Sequence, residues 1–408
     1  MTYEPCGGDP PCWSHLFEDE VIPTTEGDAD TARRAQWAMG DLRAASDLRS
    51  LLGIEHPIIQ APMAGSTTPE FVAAVSNAGG LGMLGAANLS PAHIAQAVTT
   101  IRSLTDRPFG VNLFAGGRGG VREVDPQPML AVLARYHAEL GLPEPVAPDL
   151  DADSFPEQLD AILEARVPVF SFTFGIPGPG VFAELHHHDI AILGTATTVD
   201  EARQLAAAGV DAVIAQGSEA GGHRATFAAA FETALIGTMA LVPQVVDAVP
   251  VPVVASGGIM DGRGMVAAEA LGASAVQMGT AFLTCQEADA PDFYKAAIRA
   301  AQGEQTALTR AFSGRPARGI VNEFMHAFSS REEAILPFPL QNAATRPLRS
   351  EAAVRGDTRF LSLWAGQGAA LARDLPAAEL VRQLVEEAAE IRARIADRDI
   401  NQRGDRPQ

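Results

Sequence analysis

The sequence predicts an α/β fold: a closed (β/α)8 TIM barrel with a smaller helical substrate or lid domain and an N-terminal extension. Three observations carry that expectation. Eight short β-branched or apolar runs recur from residue 57 onward, each ended by Gly, Pro or a polar residue. Ala-rich stretches of helical spacing separate them, and strands that alternate with helices pair in parallel. The first run is not followed by the Gly-x-Gly-x-x-Gly turn of an open dinucleotide-binding sheet.

Residues 1–47 precede this pattern. They hold Gly7-Gly8, Pro10-Pro11, acids from Glu18 to Glu20 and one short helical candidate around Thr31–Arg43, and read as an appended, partly disordered segment. Cys6, Cys12 and His15 could offer three ligands, but a closed zinc site takes four, at spacings this segment does not have. No metal is assigned. The expected strands are Pro57–Ala61, Leu81–Leu84, Phe109–Leu113, Val169–Thr173, Ala191–Thr195, Ala212–Gln216, Val253–Ala255 and Ala275–Met278. The expected helices include Pro69–Ala78, Pro91–Leu104, Phe155–Glu164, Val199–Ala208 and Gly264–Leu271. Gly116–Asp153 is a Pro-rich insertion between the third and fourth strands. Beyond the eighth, Phe293–Ala301 and Gln305–Ala311 read as helical and the chain to residue 360 as irregular. Leu375–Ala396 is amphipathic, with Leu380, Leu384, Ala388 and Ile391 near helical spacing, and should pack back on the barrel. The expected division is therefore 1–47 extension, 48–290 barrel, 291–370 lid, and 371–408 terminal helix and tail.

Composition narrows the function. The chain has 408 residues, 47% hydrophobic and 20% charged, enough for a large core. Thirty Lys and Arg stand against fifty Asp and Glu, a net charge of −20 that repels phosphate backbones. Lys295 is the single lysine and the arginines are scattered, so no nucleic-acid surface is expected. Three dispersed cysteines make no disulfide framework and suit a reducing interior. The opening stretch lacks a signal-peptide pattern, and the apolar run Ala234–Val242 stops at Pro243. A cytoplasmic protein, with no membrane partner, is the expectation.

In such barrels chemistry collects at the C-terminal ends of the strands, and phosphates favour the loops after the seventh and eighth. Here those ends read Ser256-Gly257-Gly258-Ile259 and Gln277-Met278-Gly279-Thr280. Gly257 and Gly258 would let backbone N–H groups approach a phosphate, Gly279 and Thr280 add an amide and a hydroxyl, and the helix from Gly264 adds a positive end. The alternative is two tight turns without a ligand. The loop after the sixth strand, Ala215 to Arg224, carries Gln216, Glu219, Gly221, Gly222 and His223. A histidine at a barrel mouth can titrate near neutral pH and act as acid or base; elsewhere it would be an ordinary loop residue. Gln216 could meet a heterocycle edge or cap its strand, and Glu219 could orient the loop. No Gly-x-Ser-x-Gly elbow accompanies His223, which argues against a serine hydrolase. His186-His187-His188 cannot all face one metal on a helix and read as a surface turn.

Six ordered motifs then resemble one family. Gln60-Ala61-Pro62-Met63-Ala64-Gly65, Gly79-Gly80-Leu81-Gly82, Gly110-Val111-Asn112-Leu113-Phe114, the Ala215–Arg224 loop and the two phosphate turns are similar to the nitronate monooxygenases, formerly 2-nitropropane dioxygenases. The likeness runs from about residue 48 to 395 and continues in Phe312-Ser313-Gly314-Arg315-Pro316-Ala317-Arg318-Gly319 and Leu363-Trp364-Ala365-Gly366-Gln367-Gly368. The resemblance implies an FMN-binding barrel that oxidises alkyl nitronates, and nitroalkanes by extension, with O2 to carbonyl compounds and nitrite. Carried over by motif, flavin contacts fall on Ala61, Pro62, Met63, Asn112, Gln216, Gly221, Gly258, Gln277, Met278, Gly279 and Thr280, and His223 matches the catalytic histidine. A protonated His223 would attract the anion; a neutral one could take the α-proton of a nitroalkane. Arg315 and Arg318 are candidates for a substrate carboxylate or for structural contacts. The partners implied are a small nitronate and O2, on a monomer or homodimer. An NAD(P)H-dependent quinone or enoyl-thioester reductase on the same flavin barrel is the alternative. An IMP-dehydrogenase-like reading fails because Cys285 lies beyond strand eight rather than after strand six.

Overall fold

The computed structural model describes residues 48–115, 124–148, 154–178 and 180–404. Their strands are β1 (Ile58–Gln60), β2 (Gly82–Gly85), β3 (Phe109–Phe114), β4 (Val169–Thr173), β5 (Ala191–Ala196), β6 (Ala212–Gln216), β7 (Gly222–His223), β8 (Val253–Ser256), β9 (Ala275–Met278), β10 (Thr306–Thr309) and β11 (Ala317–Ile320). Eight of these form one parallel sheet in the order β1-β9-β8-β6-β5-β4-β3-β2. Its two ends meet. Leu81 bridges Ile59, its N–H donating to the Ile58 carbonyl at 2.9 Å, while Gln60 N–H donates to the Leu81 carbonyl at 3.0 Å. The sheet is thus a barrel, and the eight expected strands are its staves.

Alternation along each stave builds two apolar layers. Ile59, Met83, Val169, Leu193, Ile214 and Val254 share one buried cluster, the barrel interior, joined by Leu48 and Leu52 ahead of β1. Their neighbours Ile58, Leu84, Phe170, Ile192, Val213 and Val253 belong to the larger cluster under the surrounding helices. The helices begin where the sequence supplies caps. Thr68, Ser90 and Thr198 accept from backbone N–H groups of Phe71, His93 and Glu201, and Pro69 and Pro91 stand in the first turns. The C-terminal helix, Ala377–Gly404, packs Leu380, Leu384 and Ala388 into the same outer layer. No helix among the described residues is long and apolar enough to cross a membrane.

A second apolar core stands beside the barrel, and part of it departs from expectation. The insertion between β3 and β4 carries the helix Gln127–Glu139, whose Met129, Leu133 and Tyr136 join Phe312, Phe324, Phe328 and Phe360. Tyr136 packs 5.2 Å from Phe360 and 5.7 Å from Phe324, ring centroid to centroid. Gln305–Ala311 is not a helix: a short turn at Gly303–Gln305 leads into β10, because Thr306–Thr309 finds an antiparallel partner in β11. The expected irregular stretch before residue 360 contains the helix Leu340–Arg355, and helical geometry continues through Pro347. The loop after β6 is likewise part strand. β7 completes a three-stranded sheet, with His223 opposite Ala317 and Gly222 opposite Arg318.

Candidate functional site

Over the C-terminal ends of the barrel strands lies a cavity of about 700 Å³, within the range of small-molecule and cofactor sites. The flavin-contact residues and the histidine expected from sequence all line it, whereas Glu219, Arg315 and Arg318 do not. Ala61, Pro62 and Met63 come from the end of β1, Asn112 from β3, Gln216 from β6 and Gly221, Gly222 and His223 from the segment ending in β7. Gly257 and Gly258 follow β8, and Gln277, Met278, Gly279 and Thr280 close the circuit at β9. Phe312, Ser313, Phe338, Arg349 and Trp364, beyond the barrel strands, complete its wall.

The two glycine turns have the backbone a close ligand needs. Gly257 and Gly258 take φ of +114° and +72°, in the left-handed region that side chains avoid. A Cβ on Gly279 would meet only ordinary contacts, Ala61 Cβ at 3.6 Å and Met63 Sδ at 3.9 Å, so the protein alone does not require glycine there. Thr280 Oγ1 accepts from Gly366 N–H at 3.0 Å, which leaves its own proton to give. The helix expected to add a positive end does not serve. It begins at Gly262, and the Asp261 carboxylate already accepts from Arg263 and Gly264 N–H, while Glu387 accepts from Gly262 N–H. Two carboxylates of this chain satisfy that terminus.

Gln277 and Gln216 behave differently. Gln277 Oε1 is buried among the lining residues with no donor among the described residues, an acceptor open to a ligand. The Gln216 amide is engaged inside the protein: Nε2 donates to the His223 carbonyl at 3.0 Å, and Oε1 accepts from Ala225 N–H at 3.0 Å and from Arg224 at 3.1 Å. Gln216 therefore holds the histidine strand in place. Arg224, 2% exposed, fastens the same loop through the carbonyls of Gln216, Gly217 and Ala234. Glu219 orients the loop as expected, accepting from Thr238 N–H and Oγ1 at 2.9 and 3.0 Å. Asn112 donates to Ser171 Oγ at 2.8 Å.

His223 stands in an aromatic enclosure. Its ring centroid is 5.5 Å from Trp364, 5.8 Å from Phe174 and 6.4 Å from Phe114, and Nε2 lies 2.8 Å from Ser313 Oγ. Desolvation, followed by the positive charges of Arg315 and Arg349, pushes its pKa down to about 4. The neutral imidazole is the form present at neutral pH, so attraction of an anion falls to the neighbouring arginines rather than to a protonated His223. Gly221 is needed for packing: a Cβ there would meet Gly366 N at 2.5 Å.

The arginines divide by role. Arg318 ties the small sheet to the loop, donating to the Ser218 carbonyl at 3.0 Å and to Thr306 at 3.3 Å. Arg315 places its guanidinium carbon 4.0 Å from the Phe174 ring centroid and 5.2 Å from that of Phe338. Arg349, a residue of the cavity wall that sequence reasoning passed over, donates to Asn342 O and Oδ1 at 2.9 and 2.8 Å, and burial pushes it down to about 10. Phe174 was also missed. It follows β4 with φ of +76°, a strained conformation for a bulky residue and a frequent mark of a functional wall.

Away from the cavity, His186 pairs with Asp211 at 3.0 Å and His188 with Glu184 at 3.3 Å, at the end of the helix Val181–His187. Cys285 is buried, its thiol pushed up to about 12 by desolvation. Cys6, Cys12 and His15 lie outside the described residues.

The family model described as nitronate monooxygenase matches residues 45–387. A probable nitronate monooxygenase of Staphylococcus saprophyticus is 46% identical over 352 residues, 86% of this chain and 99% of that one. A probable nitronate monooxygenase of Staphylococcus aureus is 44% identical over 345 residues, covering 84% and 97%. Among solved structures, nitroalkane oxidase from Streptomyces ansochromogenes is similar with a TM-score of 0.79 and 43% identity, over 85% of this chain and 99% of that chain. FabK from Thermotoga maritima is similar with a TM-score of 0.68 and 32% identity, over 86% and 98%.

Proposed function

The chain belongs to the nitronate monooxygenase family, and from that premise we propose an FMN-dependent enzyme that oxidises alkyl nitronates with O2 to a carbonyl compound and nitrite. One observation carries the reading: a neutral, enclosed His223 shares a cavity with two glycine turns at the ends of adjacent barrel strands.

The residues fit a flavin mononucleotide. The turns at Gly257-Gly258 and Gly279-Thr280 would hold one phosphate; among the described residues no second cradle lines the cavity, and the sequence carries no dinucleotide fingerprint that would call for FAD. Gln277 Oε1 offers an unmet acceptor to a ring N–H or a ribityl hydroxyl. Ala61, Pro62 and Met63 supply an apolar edge and Asn112 a polar one. When bound, FMN supplies the redox chemistry, taking electrons from the nitronate carbon and passing them to dioxygen.

The remaining work belongs to this chain. Phe114, Phe174 and Trp364 exclude water around the reacting carbon. Arg349 and Arg315 give this corner a positive potential that favours an anionic substrate, although the whole chain is strongly acidic. With a neutral nitroalkane, His223 takes the α-proton, and its uncharged state makes it a competent acceptor. The segment 291–370 serves as the lid, since Phe312, Phe338, Arg349 and Trp364 wall the cavity opposite the barrel.

Purified protein should be yellow, and heat should release FMN. Recovered FAD, or a protein that ignores added FMN, contradicts the cofactor. Anaerobic propionate 3-nitronate should change the flavin absorbance at once. A change with NADPH alone would instead favour a reductase on the same barrel.

A further inference from the structure

The imidazole of His223 has two nitrogens, and its value as a base depends on which one carries the proton in the resting state. The geometry points to Ser313 as the positioning residue that holds His223 in the Nε2–H tautomer, leaving Nδ1 as the atom that receives the substrate proton. The base role itself rests on the function proposed above.

The argument is a count of protons. Ser313 Oγ makes three polar contacts: His223 Nε2 at 2.8 Å, the Arg315 carbonyl at 3.2 Å and Arg315 N–H at 3.3 Å. A carbonyl only accepts and a backbone N–H only donates. If the serine proton goes to the Arg315 carbonyl, the oxygen is free to accept from Arg315 N–H and from Nε2–H, and all three contacts are satisfied. If it goes to Nε2 instead, two bare oxygens face each other at 3.2 Å. Only the first arrangement uses every contact.

Both partners are held firmly. Ser313 is 2% exposed, on a turn where Gly314 takes φ of +84° and donates to the Arg310 carbonyl at 2.8 Å. His223 is fixed opposite Ala317 and by the Gln216 amide on its carbonyl. Arg224 N–H donating to the Pro316 carbonyl at 2.8 Å ties the two segments together. A support of this kind, set by neighbouring strands, is what a precisely aimed base requires.

The step balances. The α-C–H bond breaks, its electron pair stays on the carbon as the nitronate, and the proton bonds to Nδ1. The resulting imidazolium keeps its Nε2–H on Ser313 and later returns the Nδ1 proton to solvent.

The test uses full-length, flavin-loaded protein labelled with ¹⁵N-histidine. His223→Asn identifies the His223 signals by subtraction. At neutral pH they should show Nε2 protonated and Nδ1 bare; a protonated Nδ1 overturns the proposal. Ser313→Ala should let both tautomers appear and lower kcat/KM for a neutral nitroalkane about tenfold, the scale of one lost hydrogen bond. The same variant should lose clearly less on a pre-formed nitronate than on the nitroalkane, and Ser313→Thr should restore the nitroalkane rate. Equal losses on both substrates, or no rescue by Thr, overturn the positioning role. Should the wild type turn over neither substrate, the proposed function fails while the nitrogen signals still decide the tautomer.

Discussion

Because burial and two arginines hold the His223 pKa near 4 against the usual 6.5, protonation is costly in the folded protein and ordinary in the unfolded one. The direction of the pH effect follows. Between about pH 6.5 and 4 the unfolded chain binds a proton that the folded chain refuses, so this residue lowers stability as pH falls through that window. Wild type should lose melting temperature across it more steeply than His223→Asn; parallel curves would mean an ordinary histidine. Activity should fall in the same sense as for a common His base, but at a lower pH. On a neutral nitroalkane, kcat/KM should show no acid-side fall near 6.5 and decline only toward pH 4. His223→Asn removes proton transfer but keeps size. It should cost at least about 10²-fold on that substrate and clearly less on a pre-formed nitronate, with flavin content unchanged. Identical losses on the two would assign His223 to binding rather than to proton transfer.

Among the elements, those built from local signals were legible and those built from distant pairing were not. The barrel strands announce themselves because runs such as Val169–Thr173 are buried on both faces, and Gly or Pro ends them. Thr306–Thr309 does not, since its strand character comes from pairing with Ala317–Ile320, a later segment of the chain, and Gln-Thr-Ala-Leu also suits a helix. Leu340–Arg355 was hidden by Pro347 and by its polar composition. The Gln127–Glu139 helix had a readable signal in Met129, Leu133 and Tyr136, masked by the prolines around it. At the site, all the expected lining residues converge, but their individual duties needed coordinates. Gly221 and Gly279 illustrate this. A Cβ on Gly221 collides with the Ala365-Gly366 backbone, whereas on Gly279 it meets only ordinary contacts at 3.6 and 3.9 Å. Gly221→Ala should therefore lower the melting temperature of flavin-free protein by several degrees, from about 1–3 kcal/mol of overpacking. Gly279→Ala should leave that temperature nearly unchanged while weakening FMN retention. The opposite pattern would exchange their roles.

For the whole molecule, the question is how much chain the chemistry requires. The family match begins at residue 45, and the Staphylococcus saprophyticus relative aligns over 99% of its length to 86% of this chain. Among the described residues, those lining the cavity begin at Ala61, and the first apolar contributions to the barrel interior are Leu48 and Leu52. Residues 1–47 hold ten of the fifty acids against three arginines, so they add to the net charge of −20. Removing them makes the remaining chain less acidic, and long-range repulsion of an anionic substrate can only weaken. Deletion of 1–47 should accordingly keep soluble expression, FMN content and nitronate turnover within about twofold of the full chain. The comparison is best made on both proteins at low and at moderate ionic strength, because any small gain from reduced repulsion should vanish as salt rises. Loss of flavin or of folding on truncation would show that the segment supports the barrel directly, and a loss of turnover alone would place it at the cavity.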